Sequence, residues 1–99
     1  MDFHYLITQP DLNAHGTLHG GILTKLIDES CGIYARMHTG RVCVTRHIGS
    51  IDFLSKANLG DILKIKTFIS STGETSLVFQ GSVRNAVTGK IVALSLIHI

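Results

Sequence analysis

The chain has 99 residues, 44% of them apolar and 16% charged, with a net charge of +2 at pH 7. That length holds one domain with a modest core, and the composition excludes disorder, which needs low hydrophobicity and high net charge. Lys and Arg occur singly, without a basic run or interleaved aromatics, so no nucleic-acid surface is expected. No run approaches the roughly 18 apolar residues of a membrane span. The N-terminal MDFHYLITQP lacks the basic segment and apolar core of a secretion signal, so the protein is read as cytoplasmic, with no membrane partner.

In chain order, FHYLIT (Phe3 to Thr8) is β-rich and is stopped by Pro10, which cannot donate to a ladder; it predicts a first strand. NAHGTLHGGILTKLIDE (Asn13 to Glu29) then packs three glycines and two histidines between His15 and Gly21. From Ile22 to His38, Leu23, Leu26, Ile27, Cys31, Tyr34 and Met37 form one stripe at about 100° per residue. This predicts one long helix, closed by Gly40. Four β-rich runs follow: Arg41 to Leu54, Asp61 to Ser70, Thr75 to Asn85 and Lys90 to Ile99, with turn signals between them at Asn58 to Gly60, Thr72-Gly73 and Thr88-Gly89. In ILKIKTFI, Ile62, Lys64, Lys66 and Phe68 oppose Leu63, Ile65, Thr67 and Ile69, which predicts one wetter face. The order predicts an α+β domain over residues 1–99: a five-stranded antiparallel sheet with one long helix on one face. Cys31 and Cys43 make neither a C-x-x-C motif nor a disulfide framework and are read as structural thiols. The last six residues, LSLIHI, can be encoded by CTG TCT CTT ATA CAC ATC, the mosaic end of a transposon-based sequencing adapter. They are read as a candidate foreign tail, with the native chain continuing differently after Ala93.

The chemistry gathers in the glycine run. A helix start presents unpaired N–H groups and partial positive charge, suited to an oxygen that gains negative charge. Glycine lets a ligand approach that backbone closely. Two readings of Gly20 and Gly21 stand: a flexible loop and ordinary cap, or an oxyanion cradle. Asp28 lies seven residues past Gly21, about two turns or ~10 Å along the axis. It sits some 120° from the centre of the apolar stripe, so in a single chain it is a solvated carboxylate unless a second chain or a ligand covers that flank. Glu29 lies almost opposite the stripe. His15 and His19 are four apart, a zinc-like spacing on a helix, but Gly16 and Gly20 oppose a helix there and no third ligand is evident, so no metal is expected. Elbow, dinucleotide and P-loop signatures are missing.

LNAHGTLHGGILTKLIDE resembles the hotdog-fold acyl-CoA thioesterases, in the group of cytosolic acyl-CoA hydrolases, through Asn13, Gly16, His19-Gly20-Gly21 and Asp28. The likeness runs from about Phe3 to Ala93; Leu54 stands where that family often has proline. It implies a curved five-stranded antiparallel sheet around one long central helix, paired as a homodimer or a dimer-based hexamer, with active sites at the dimer interface. It also implies acyl-CoA as substrate, CoA and a free acid as products, and no metal or other cofactor. Asp28 is then the general base, or a nucleophile forming a mixed anhydride, and Asn13 orients water or thioester from the other chain. The Gly21 N–H holds the thioester oxygen, while His19 and Gly20 shape the approach. Thr45, Arg46, Arg84 and Lys90 are the candidates for the CoA nucleotide; each is equally an ordinary solvated strand residue. The competing functions are a non-catalytic acyl-CoA-binding or sensing domain of the same fold and a dehydratase, whose catalytic His the glycine pattern fits poorly.

Overall fold

The computed structural model describes residues 1–99. Five strands, β1 (Asp2–Leu6), β2 (His47–Phe53), β3 (Ile62–Thr72), β4 (Leu77–Asn85) and β5 (Ile91–His98), accompany one helix, α1 (Gly20–Thr39). They form one antiparallel sheet in the order β1-β3-β4-β5-β2. Its inner face carries Leu63, Ile65, Phe79, Val83, Ala93 and Ile97, all buried, and α1 supplies Leu23, Ile27, Cys31 and Ala35 against them. β3 keeps the alternation read from its sequence, with Leu63, Ile65 and Thr67 inside and Ile62, Lys66 and Phe68 exposed.

The helix has one place to sit. Register brings Thr67, Gly81 and Ser95 side by side on β3, β4 and β5, a shallow row between rows of large side chains. A Cβ on Gly81 would meet Ile27 Cγ2 at 3.4 Å and Ser95 Oγ at 2.6 Å. The bare backbone of Gly81 is therefore what lets Ile27 reach the sheet.

The structure extends or trims several expectations. α1 begins at Gly20 and ends at Thr39, with Gly40 in the left-handed region at φ 71° donating its N–H to Arg36 O, so both glycines of the cradle lie inside the first turn. Met37 leaves the stripe at 67% exposure, and Ala35 takes the inner position. β1 stops at Leu6 because Thr8 opens a 3-10 turn over Gln9–Asp11 with Pro10 inside it. The long second strand is only half formed: residues 41–46 lie outside β2, and apart from Arg46 N–H to His98 O at 2.8 Å they have no ladder, because β5 ends where their partner would be. Val42 and Val44 are 82% and 76% exposed there. β5 continues through the LSLIHI segment, whose Ser95, Ile97 and Ile99 face inward; that pairing reports fit to the sheet and not the origin of the hexapeptide.

One buried carboxylate ties β1 to the loop before α1. Asp11, 6% exposed, accepts from Tyr5 Oη–H at 2.8 Å and from Thr8 N–H at 2.8 Å. The Thr8 amide first, then the Tyr5 hydroxyl, hold its carboxyl below the ordinary 3.8. The same bond raises the Tyr5 phenol above 10.0. The fold thus prefers charged Asp11 and neutral Tyr5. The stabilisation by Asp11 is present above its ordinary value and lost as pH falls through the lowered one; that of Tyr5 is present below pH 10 and lost as pH rises through the raised one.

Two outcomes are expected. Gly81→Val should lower the unfolding free energy in urea by about 1–3 kcal/mol through overpacking under Ile27; a neutral result would contradict the trough. Asp11→Asn should lose about 1–3 kcal/mol at pH 7, and its deficit against wild type should shrink in melts below pH 3.8. A deficit that grows in acid would contradict the assignment.

Candidate functional site

Asn13 folds the glycine run back on itself. Its Oδ1 accepts from His15 N–H at 2.9 Å and Thr17 N–H at 3.2 Å, and its Nδ2 donates to Thr17 Oγ1 at 3.1 Å. Gly16 makes the turn at φ 77°, a conformation that favours glycine. Leu18 N–H then bonds Ala57 O at 2.9 Å and His19 N–H bonds Asp11 O at 2.8 Å. The run is thereby hydrogen-bonded on two sides, to Ala57 and to Asp11.

The helix start is capped by its own preceding residue. His19 is extended (φ −66°, ψ 130°), and its Nδ1 accepts the Gly21 N–H at 2.8 Å. The imidazole lies over the bare Cα of Gly21, since a Cβ there would stand 2.9 Å from both Cε1 and Nδ1. At Gly20 the added Cβ would make ordinary contact with the Phe53 ring at 3.6 Å, so space does not force glycine there. Bonding within the chain satisfies the Gly21 N–H and leaves those of Gly20 and Ile22 to outside partners.

Farther along, Asp28 is half-buried, and Thr45 Oγ–H donates to its Oδ1. Within 41–46, Arg41 N–H and Cys43 Sγ meet Thr39 at the helix end and Thr45 reaches Asp28 in its middle, while Val44 and Arg46 line a cleft. Glu29 points away and meets Lys25 at 3.8 Å with both side chains exposed, an ion pair of little energetic consequence. Cys31 is fully buried; burial, and secondarily the charge of Asp28, push its thiol up to about 12, so it offers no thiolate for nucleophilic work.

Two clefts flank these groups. One of about 390 Å³ opens at the helix start, lined by Leu18, Gly20, Leu23, Phe53, Lys56 and Val92 among others. The other, about 530 Å³, lies past the helix end against Arg41, Cys43, Arg46, Glu74 and Ile99. The four nucleotide candidates separate: Arg46 sits beside His98 at one end of β5, whereas Arg84 pairs with Ile91 at the other. Arg84 donates to Gly89 O at 3.2 Å, and exposed Lys90 follows in the same turn. Sequence reading missed three features: the Thr45 contact with Asp28, the Phe53 ring over Gly20, and the claim of His19 on Gly21. The first two join residues far apart in the chain and leave no local signal. The third is a helix cap made by a residue type outside the preferred N-cap set.

The thioesterase superfamily profile matches residues 15–92. The human cytosolic acyl coenzyme A thioester hydrolase is 33% identical over 73 residues, which is 74% of this chain and 19% of that protein; the chain thus spans about a fifth of its length. Among solved structures, an apo-hexameric acyl-CoA thioesterase superposes with a TM-score of 0.87 at 32% identity, covering 99% of this chain and 65% of the other. The Staphylococcus aureus acyl-CoA hydrolase in complex with butyryl coenzyme A, coenzyme A and coenzyme A disulfide gives 0.90 at 32% identity over 99% and 60%. That hydrolase has also been solved with alanine at an asparagine, at an aspartate fifteen residues later, and at a threonine seventeen beyond that. With most of its length inside the family profile and its whole sheet and helix superposing on thioesterases, the chain belongs to the thioesterase superfamily and has the hotdog fold.

Proposed function

We propose that the chain hydrolyses acyl-CoA thioesters to the free acid and CoA, at a site shared by two copies. The observation that carries this reading is the Asp28–Thr45 pair together with Asn13. These three residues keep the intervals of fifteen and seventeen at which the Staphylococcus aureus hydrolase was given alanine. Asp28 takes a proton from water, the water oxygen attacks the thioester carbonyl carbon, and the C–S bond breaks with the proton passing to the departing thiolate. Thr45 holds the carboxylate in one orientation. The donors at the helix start for the oxygen that gains charge are the N–H of Gly20, open in this chain, and that of Gly21, held here by His19 Nδ1; one lost donor of that kind costs roughly 3 kcal/mol. No metal or other cofactor takes part; CoA enters as part of the substrate.

Distance argues for two copies. Gly21 and Asp28 are about two turns apart, ~10 Å along one helix, whereas a carbonyl oxygen needs its donor about 3 Å away while the attacking water stays on the base. A second chain that brings its helix start beside Asp28 closes the gap. Asn13 keeps one Nδ2 hydrogen beyond its bond to Thr17, available to a thioester on the partner's side. The open outer edge of β2 and the exposed Val42 and Val44 are the surface such pairing would cover. The apolar cleft of Leu18, Leu23, Phe53 and Val92 beside Gly20 suits the acyl group, and Arg46 at one end of β5 and Arg84 with Lys90 at the other offer cations to the CoA phosphates. The human relative is named as cytosolic, and no helix of this chain is long and apolar enough to cross a membrane; the reaction is assigned to the cytoplasm.

Thiol release from acetyl, medium-chain, long-chain and aryl CoA esters tests the reading. Asp28→Asn should lose at least about 100-fold in kcat with CoA still bound, and Thr45→Val about tenfold. Equal rates for wild type and Asp28→Asn on every ester, with CoA still bound, would refute Asp28 as the base, and wild-type rates no higher than the uncatalysed background would leave a binding domain in place of an enzyme. Mixing Asp28→Asn with Asn13→Ala chains should restore up to about a quarter of wild-type activity, because half of the pairs are mixed and each carries one intact site. Mixtures no more active than their parents would refute a shared site.

A further inference from the structure

We propose that the cleft beside Gly20 selects acyl groups that end in a second carboxylate, and that Lys56 is the residue that selects them. The inference rests on the acyl-CoA reading above and names the substrate class within it. Its ground is a single charge in an apolar place. The cleft of about 390 Å³ has walls of Leu18, Leu23, Phe53 and Val92, and Lys56 is its one charged lining residue. The two ion pairs of the chain are Lys25–Glu29 and Lys64–Asp2, so no carboxylate of this chain answers Lys56. Asp61 is turned to its own loop, where it accepts the Asn58 N–H at 2.9 Å. The other polar side chains of the cleft are occupied: Ser55 Oγ–H donates to Ile91 O at 2.5 Å, and Thr17 Oγ1 accepts from Asn13 Nδ2 at 3.1 Å.

Reach decides which anion Lys56 meets. Gly20, whose N–H is open, lines the same cleft, so a thioester carbonyl held there sends one of its two arms into it. A volume of 390 Å³ is about 9 Å across as a sphere. About thirteen bonds separate the thioester sulfur from the first phosphate of CoA, roughly 15 Å when extended at ~1.2 Å per bond, so the phosphate overshoots the cleft. The far carboxylate of a six- to eight-carbon diacid lies about 6–8 Å from the thioester carbonyl on the same scale and falls inside it. Selection works in both directions. A carboxylate on Lys56 makes a charge-assisted hydrogen bond, and apolar walls that exclude water strengthen it. A methyl end of the same length leaves the ammonium covered by hydrocarbon and unpaired, which is costly. An open surface pair would discriminate at most about fivefold, whereas a pair covered by the bound acyl chain discriminates about tenfold or more.

The test sets the CoA monothioester of octanedioic acid against octanoyl-CoA, equal in chain length, and follows thiol release. Wild type should favour the diacid ester in kcat/KM. Lys56→Met, which keeps the length of the side chain without its charge, should lower the ratio of kcat/KM for the two esters about tenfold. Lys56→Arg should restore the ratio, and Lys56→Glu should turn the preference toward octanoyl-CoA. Titration calorimetry with CoA alone separates the two arms of the substrate. A loss of CoA affinity in Lys56→Met as large as the loss on the diacid ester would place Lys56 on a phosphate and overturn the proposal. So would an equal ratio in wild type and Lys56→Met, or a wild type that prefers octanoyl-CoA. Absence of turnover of either ester by wild type would instead overturn the acyl-CoA reading beneath it.

Discussion

The contact between Ile27 and the bare backbone of Gly81 governs the arrangement of everything else. Strands β3, β4 and β5 carry large side chains on either side of the Thr67–Gly81–Ser95 row, so a helix can come close to this sheet only along that trough. Once Ile27 is seated there, Leu23, Cys31 and Ala35 follow inward at helical spacing. Asp28, one residue on from Ile27, is then turned about 100° away from the sheet, toward the segment that carries Thr45. The position of the carboxylate is thus a by-product of a packing decision made without any charge.

The loop before the helix is the second fixed piece. Asp11 accepts from β1 and from the 3-10 turn, and its carbonyl receives the His19 N–H. Asn13 closes the turn around Gly16, and Ala57 anchors Leu18. Buried polar groups satisfied in this way rigidify the backbone they join. The glycines of this segment therefore have structural uses, the left-handed turn at Gly16 and the ring over Gly21.

The elements whose signal is local were legible in the sequence. The helix showed itself through Leu23, Ile27 and Cys31, its end through Gly40, and β3 through strict alternation. The boundary at Gly20 was not legible, because two glycines have poor helix propensity and the cap that compensates is a histidine. Met37 joined the stripe by period alone, yet the sheet ends before the last helical turn and leaves it uncovered, while small Ala35 fills the inner position. The Asp28–Thr45 contact was invisible because a wheel places Asp28 on a polar flank and cannot say what lies beside that flank.

On the proposed reading, residues 41–46 are the part of the site that one chain leaves unfinished. Their composition is that of a strand, and β2 continues directly from them, but strand structure requires a partner and β5 runs out at His98. Exposed Val42 and Val44 on an unpaired edge are the kind of surface that proteins cover by pairing. Thr45 lies inside this segment, so whatever orders the edge also fixes the hydroxyl that orients Asp28. On the proposed reading, pairing with a second copy does two things at once: it brings a helix start to the carboxylate and it holds the carboxylate in place. Assembly and catalysis would then share a single structural cause, since the strand that the lone chain leaves unfinished is the one that carries the base's partner.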